Sequence, residues 1–128
     1  PDGTFDTVIC SDVLEHVAEG HQEAITELNR VARKKVIITV PAYRWLYGAY
    51  DKWVGHHRRY HASDFKGYRI QHLFWFLVPV LFLRKLFSLK HGPLPAWLDG
   101  FLFFLSKYHG SFGTTLLAWK YKEGSARP

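Results

Sequence analysis

A chain of 128 residues is the usual size of one domain, and 48% apolar with 17% aromatic residues is ample for a core, so the chain is expected to be globular. A single cysteine, Cys10, excludes an internal disulfide and suits a reducing compartment, so the cytoplasm is the expected location. Seventeen Lys and Arg against eleven Asp and Glu give +6, a balance that favours phosphates, nucleic acid or acidic lipid headgroups without choosing among them.

In chain order, the turn Pro1-Asp2-Gly3 opens an apolar, β-branched run, Phe5–Cys10, expected to be a strand buried on both faces of a parallel sheet. Pro1–Thr4 is a polar turn and shows no signal-peptide pattern. Ala24, Ile25, Leu28, Val31 and Ala32 recur at helical steps and predict an amphipathic helix over Gln22–Lys34, closed by the cations Arg33, Lys34 and Lys35. Val36–Val40 follows as a second buried strand stopped by Pro41. Strand, helix and strand over so short a span make a right-handed parallel crossover.

After Pro41 the texture changes to an aromatic and cationic segment, "AYRWLYGAYDKWVGHHRRYHASDF", too irregular in period for a helix or strand but too aromatic for disorder. Tyr68–His72 reads as a short strand. Leu73–Leu89 reads as an apolar helix kinked at Pro79, Trp97–Tyr108 as another apolar helix, and Thr114–Tyr121 as a last strand before a loose tail, Glu123–Pro128. The longest apolar run, Leu73–Leu83, is about half of the ~20 residues that a membrane-spanning helix needs, although such a segment can lie on a membrane surface. The chain thus divides as one domain into a strand-helix-strand core (1–42), an aromatic and basic loop (43–66), an apolar helical region (67–109) and a last strand (110–122).

Three constellations stand out. Asp12, Glu15 and His16 sit where the first strand ends, the place at which ligands gather in open α/β sheets. They read either as a capping box on the next helix or as hard-metal or general-base groups. The loop "DKWVGHHRRY" concentrates Asp51, His56, His57, Arg58, Arg59 and Tyr60. It reads either as a solvated basic turn or as a substrate site in which Arg58 or Arg59 forks onto a carboxylate or phosphate beside a wall of Tyr43, Trp45, Tyr47 and Tyr60. A nucleic-acid stacking platform uses the same residue types, but none of the RNA-binding signatures is present. Leu73–Leu89, with Arg84, Lys85 and Lys90, reads as buried core, an oligomer contact or an interfacial helix facing acidic lipid.

"FDTVICSDVLEHV", "EAITELNRVARK", "VIITVPA" and "YRWLYGAYDKWVGHHRRY" resemble the second half of class I S-adenosylmethionine-dependent methyltransferases, in particular a bacterial type whose aromatic loop ends Gly-His-x-Arg-Arg-Tyr. "GTTLLAWKYK" is similar to the antiparallel last strand of that fold. The resemblance implies a Rossmann-like α/β sheet in which Phe5–Cys10 is the fourth strand and Val36–Val40 the fifth. It implies that Ser11, Asp12 and Val13 lie beside the cofactor, and that the acceptor meets Tyr43, Trp45, Asp51, Arg58, Arg59 and Tyr60. Glu15, His16 and His56 become acid-base candidates. In related ubiquinone-pathway and small-RNA 2′-O-methyltransferases an acid-x-x-Glu-His segment holds a divalent metal; Asp12, Glu15 and His16 match it, with Asp in place of the more usual Glu. The implied acceptor is a small-molecule, lipid-linked or saccharide hydroxyl or amine. Two departures accompany the resemblance. No two glycines are spaced as Gly-x-Gly, the turn that binds the cofactor in this family, and only Lys66 and Gly67 stand between Phe65 and Tyr68 where the family carries a helix. The expectation is the back half of such a domain, inactive alone, whether as a truncated reading frame, a degenerate copy or a sequence assembled only from ordered pieces, with a non-catalytic docking module as the rival reading.

Overall fold

The strand that organises the molecule is the most deeply buried one. In the computed structural model, which describes residues 1–86 and 113–123, β2 (Ala32–Pro41) lies inside the sheet, with Val36, Ile38 and Val40 alternating onto its fully buried face. It pairs in parallel with β1 (Phe5–Ser11), Val8 opposite Val36 and Cys10 opposite Ile38. On its other side runs β4 (Thr115–Tyr121), antiparallel, with Ala118 opposite Ile38. β4 in turn pairs antiparallel with β3 (Arg69–Leu73), so the order is β1-β2-β4-β3. The last of the described strands, β4, is inserted between two strands that run parallel to each other. This is a mixed α/β sheet of parallel and antiparallel strands, of the partial Rossmann-like type.

The core forms on one face of that sheet. α1 (His21–Val31) lays Ala24, Ile25 and Leu28 over Cys10, Val36, Ile38 and Ala118, and Leu14, Tyr60 and Phe65 extend the cluster toward the ends of the strands. Each fully buried aliphatic side chain there contributes roughly 1.5–3 kcal/mol. α2 (Ala49–Trp53) and α3 (Leu77–Leu86) complete the α-helices among the described residues. Among the described residues no helix is long and apolar enough to cross a membrane.

Several expectations need correction. β1 is not buried on both faces: Phe5 is 57% and Ile9 66% exposed, because β1 is the edge strand among the described residues and only Val8 and Cys10 turn toward α1. The helix stops earlier than its period suggested, since Arg33 and Lys34 are strand residues whose side chains clamp Asp6 of the neighbouring strand. Those two cations, Lys34 first, hold the Asp6 carboxyl below the usual range. The aromatic segment is not irregular throughout, for it contains a 3-10 turn, Arg44–Leu46, as well as α2. Pro79 falls in the first turn of α3, where a missing amide breaks no helical bond, so the expected kink has no cause there. The predicted helix Trp97–Tyr108, the end of the Leu73–Leu89 segment and the tail beyond Glu123 lie outside the described residues.

Candidate active site

At the carboxyl end of β1 the chain makes one 3-10 turn, Leu14–His16, and goes no further as a helix. Asp12 enters it in the left-handed region (φ 51°), a conformation Asp tolerates better than most residues. The capping box is absent: Val13 occupies the cap position, no side chain caps the turn, and Ser11 Oγ donates to the Asp12 carboxylate at 3.2 Å. Leu14 is drawn into the core, and this carries the Glu15 side chain inward to 1% exposure.

Three hydrogen bonds join this turn to the aromatic loop. Tyr60 Oη donates to the Leu14 carbonyl at 3.0 Å, the His57 amide donates to the Glu15 carbonyl at 2.8 Å, and His16 Nδ1 lies 3.1 Å from the Gly55 carbonyl. Gly55, in the left-handed region at φ 81°, ends α2 and turns that carbonyl toward His16. At its base the loop returns onto β2, where the Tyr60 amide donates to Pro41 and the Tyr43 amide to Tyr60.

The result is a compact ionisable cluster. Glu15, His16 and His56 each bring one donor atom within 4.8 Å of the others. The two imidazoles meet edge to face at 4.8 Å between centroids, and His56 Nε2 stands 3.9 Å from Glu15 Oε1. Behind His56 lies Asp51, 3.0 Å from its Nδ1, and Arg59 Nε donates to the same Asp51 oxygen at 2.7 Å. Burial pushes the Glu15 carboxyl up, with the nearby Asp12 charge adding to the effect and His56 and His16 opposing it. Glu15 Oε2 is buried and has no hydrogen-bond partner. A pocket of about 210 Å³ opens on this group, and Asp12, Arg59 and Tyr50 also line it.

The structure divides the sequence candidates. Asp12, Glu15, His16, His56 and Arg59 line one pocket. Ser11 is at the strand end, 2.8 Å from Thr39 through the two hydroxyls, and Val13 is exposed beside it. Arg58 faces away from the pocket, its guanidinium held by His21 and the Ala18 carbonyl. Tyr60 is a core residue whose hydroxyl is pushed up to about 12 by burial. Tyr43 and Trp45 pack at the far side of the loop, Tyr43 stacked on His72 and Trp45 against Phe82. Sequence reasoning missed Thr114 and Thr115. No local pattern marks them, because they reach the pocket only through the register that sets Thr115 opposite Pro41.

Residues 1–40 match the family model of a methyltransferase domain. The match spans β1, α1 and nearly all of β2, the unit whose strand end carries Asp12 to His16. It supports an S-adenosylmethionine-dependent methyltransferase domain, and with it methyl transfer in general and a cofactor of that type. No curated protein matches the chain.

Proposed function

We propose that this chain carries the acceptor side of a methyltransferase site, transferring the methyl group of S-adenosylmethionine to a hydroxyl or amine of a small-molecule, lipid-linked or saccharide acceptor. The observation that carries the proposal is the convergence of Glu15, His16 and His56 on one pocket at the carboxyl end of a parallel strand. The bound cofactor supplies an electrophilic methyl on sulfur. The protein's part is to hold the acceptor in line and take its proton, and alignment is the larger contribution. Ser11, Asp12 and Val13 flank the cofactor in this reading, and His56 Nε2 or Glu15 receives the proton.

Glu15, His16 and His56 also fit a divalent first-row metal. One carboxylate with two imidazoles is a common ligand set, and the partnerless buried Glu15 oxygen is the atom that such an ion would satisfy. Asp12 lines the pocket without belonging to that trio. Bound there, the ion would lower the pKa of an acceptor hydroxyl.

A second reading, a non-catalytic module that docks on a lipid surface, draws on the exposed Trp45, Trp53, Phe82 and Leu86. Calorimetric titration separates the two. Saturable binding of S-adenosylmethionine, together with Mn²⁺ binding that is lost in Glu15→Gln, is expected for the enzyme. Binding of neither ligand by the wild-type chain would favour the docking module.

A further inference from the structure

The Asp51 carboxylate is 1% exposed and is satisfied by this chain alone. The Gly48 amide donates to Oδ2 at 2.9 Å and Arg59 Nε donates to Oδ1 at 2.7 Å, so both oxygens act as acceptors. His56 Nδ1 approaches that same Oδ1 at 3.0 Å, and an oxygen already accepting from a guanidinium can only accept again. The hydrogen therefore sits on Nδ1. In a neutral imidazole this leaves the lone pair on Nε2, the nitrogen turned toward Glu15. The backbone adds a second restraint, because the His56 amide donates to the Asp51 carbonyl at 2.8 Å. One residue thus holds both the main chain of His56 and the far side of its ring.

We propose that Asp51, which the sequence pattern grouped with the acceptor contacts, is instead a positioning residue that fixes the tautomer and direction of His56. With Nδ1 committed to Asp51, Nε2 is presented bare beside Glu15 and His16 as a base or metal ligand. His16 shows the same device in simpler form, since its Nδ1 is committed to the Gly55 carbonyl, which can only accept. Arg59 acts one step further back: it holds Asp51 through Nε and anchors itself on the Ala42 carbonyl through Nη1 at 3.2 Å. The proposal rests on the methyltransferase reading only for the use made of Nε2, and the tautomer itself is independent of it.

Long-range proton–nitrogen NMR of the ¹⁵N-labelled chain, in chelator and well above the usual imidazole pKa of about 6.5, reads the tautomer directly. His56 is expected with hydrogen on Nδ1; hydrogen on Nε2 in the wild type overturns the proposal. Arg59→Met, which keeps Asp51, should retain the wild-type pattern. The double variant Asp51→Ala with Arg59→Met avoids stranding a buried cation. It should revert toward the Nε2–H form that a free imidazole prefers and bind Mn²⁺ 10- to 100-fold more weakly, on the order of the usual loss of an outer partner. An unchanged tautomer in the double variant overturns the proposal, and if that variant does not fold, the wild-type spectrum decides. A wild type that shows Nδ1–H but binds no Mn²⁺ sinks the metal while supporting the role of Asp51.

Discussion

Glu15 is the residue where stability and chemistry oppose each other. It is buried with one oxygen lacking a partner, and its carboxyl is raised from the ordinary value. A group raised in the folded state binds its proton more tightly there than in the unfolded chain. Its contribution is fully present below the unfolded value of about 4.3 and is lost as pH rises through the folded one. Glu15→Gln removes that loss. Measured in chelator, the variant should melt above the wild type at neutral pH, with the gap closing as the pH falls toward about 4. A gap that is constant with pH would mean that the carboxyl is not raised by its burial. Natural sites tolerate such a cost where the charge is used.

At the scale of elements, the weak point is the entry to the last strand. Gly113 packs so closely on β3 that a methyl group built there would stand 2.0 Å from the Leu73 carbonyl oxygen. That atom is backbone paired in the ladder with Thr115 and cannot swing aside. Gly113→Ala should cost about 1–3 kcal/mol in chemical denaturation, as overpacking of a close contact does. It should also disturb Thr114 and Thr115 in the pocket. Much of this architecture was legible in the chain: an apolar run stopped by Pro41 marked β2, helical period marked α1, and the β-branched and aromatic run marked β4. The edges were not. Period says which residues are apolar but not how many faces are covered, so it does not reveal that Phe5 and Ile9 are exposed. Basic residues suit both a helix end and a strand beside an acid, so composition alone does not put Arg33 in β2. In the loop, sequence density pointed to Asp51, His56 and Arg59 but could not separate them from Arg58, whose side chain takes the opposite direction. That separation depends on the Tyr43 to Tyr60 and Tyr60 to Pro41 backbone bonds, which join residues far apart in the chain.

For the whole molecule, a lipid-linked acceptor would bring the +6 charge and the exposed aromatic side chains into play together. Trp45 and Phe82 meet at 6.1 Å between ring centroids, next to Leu81 at the pocket wall, and both are well exposed. If the acceptor is lipid-linked, sedimentation with vesicles should show binding to phosphatidylserine-containing membranes but not to neutral phosphatidylcholine. That binding should weaken with salt, because at 0.1 M screening acts beyond about 10 Å. Equal binding to both vesicle types would remove charge from the account. The paired anchorage of the aromatic loop has a wider consequence. Its base is tied to β2 and its far limb to the strand-end turn, and between them the Gly48 amide holds Asp51 while Tyr47 Oη donates to the His56 carbonyl. Exchanging only the exposed Trp45 and Tyr50 would change what is recognised at the entrance while the Glu15, His16 and His56 constellation kept its spacing, which lets selectivity and reactivity evolve separately.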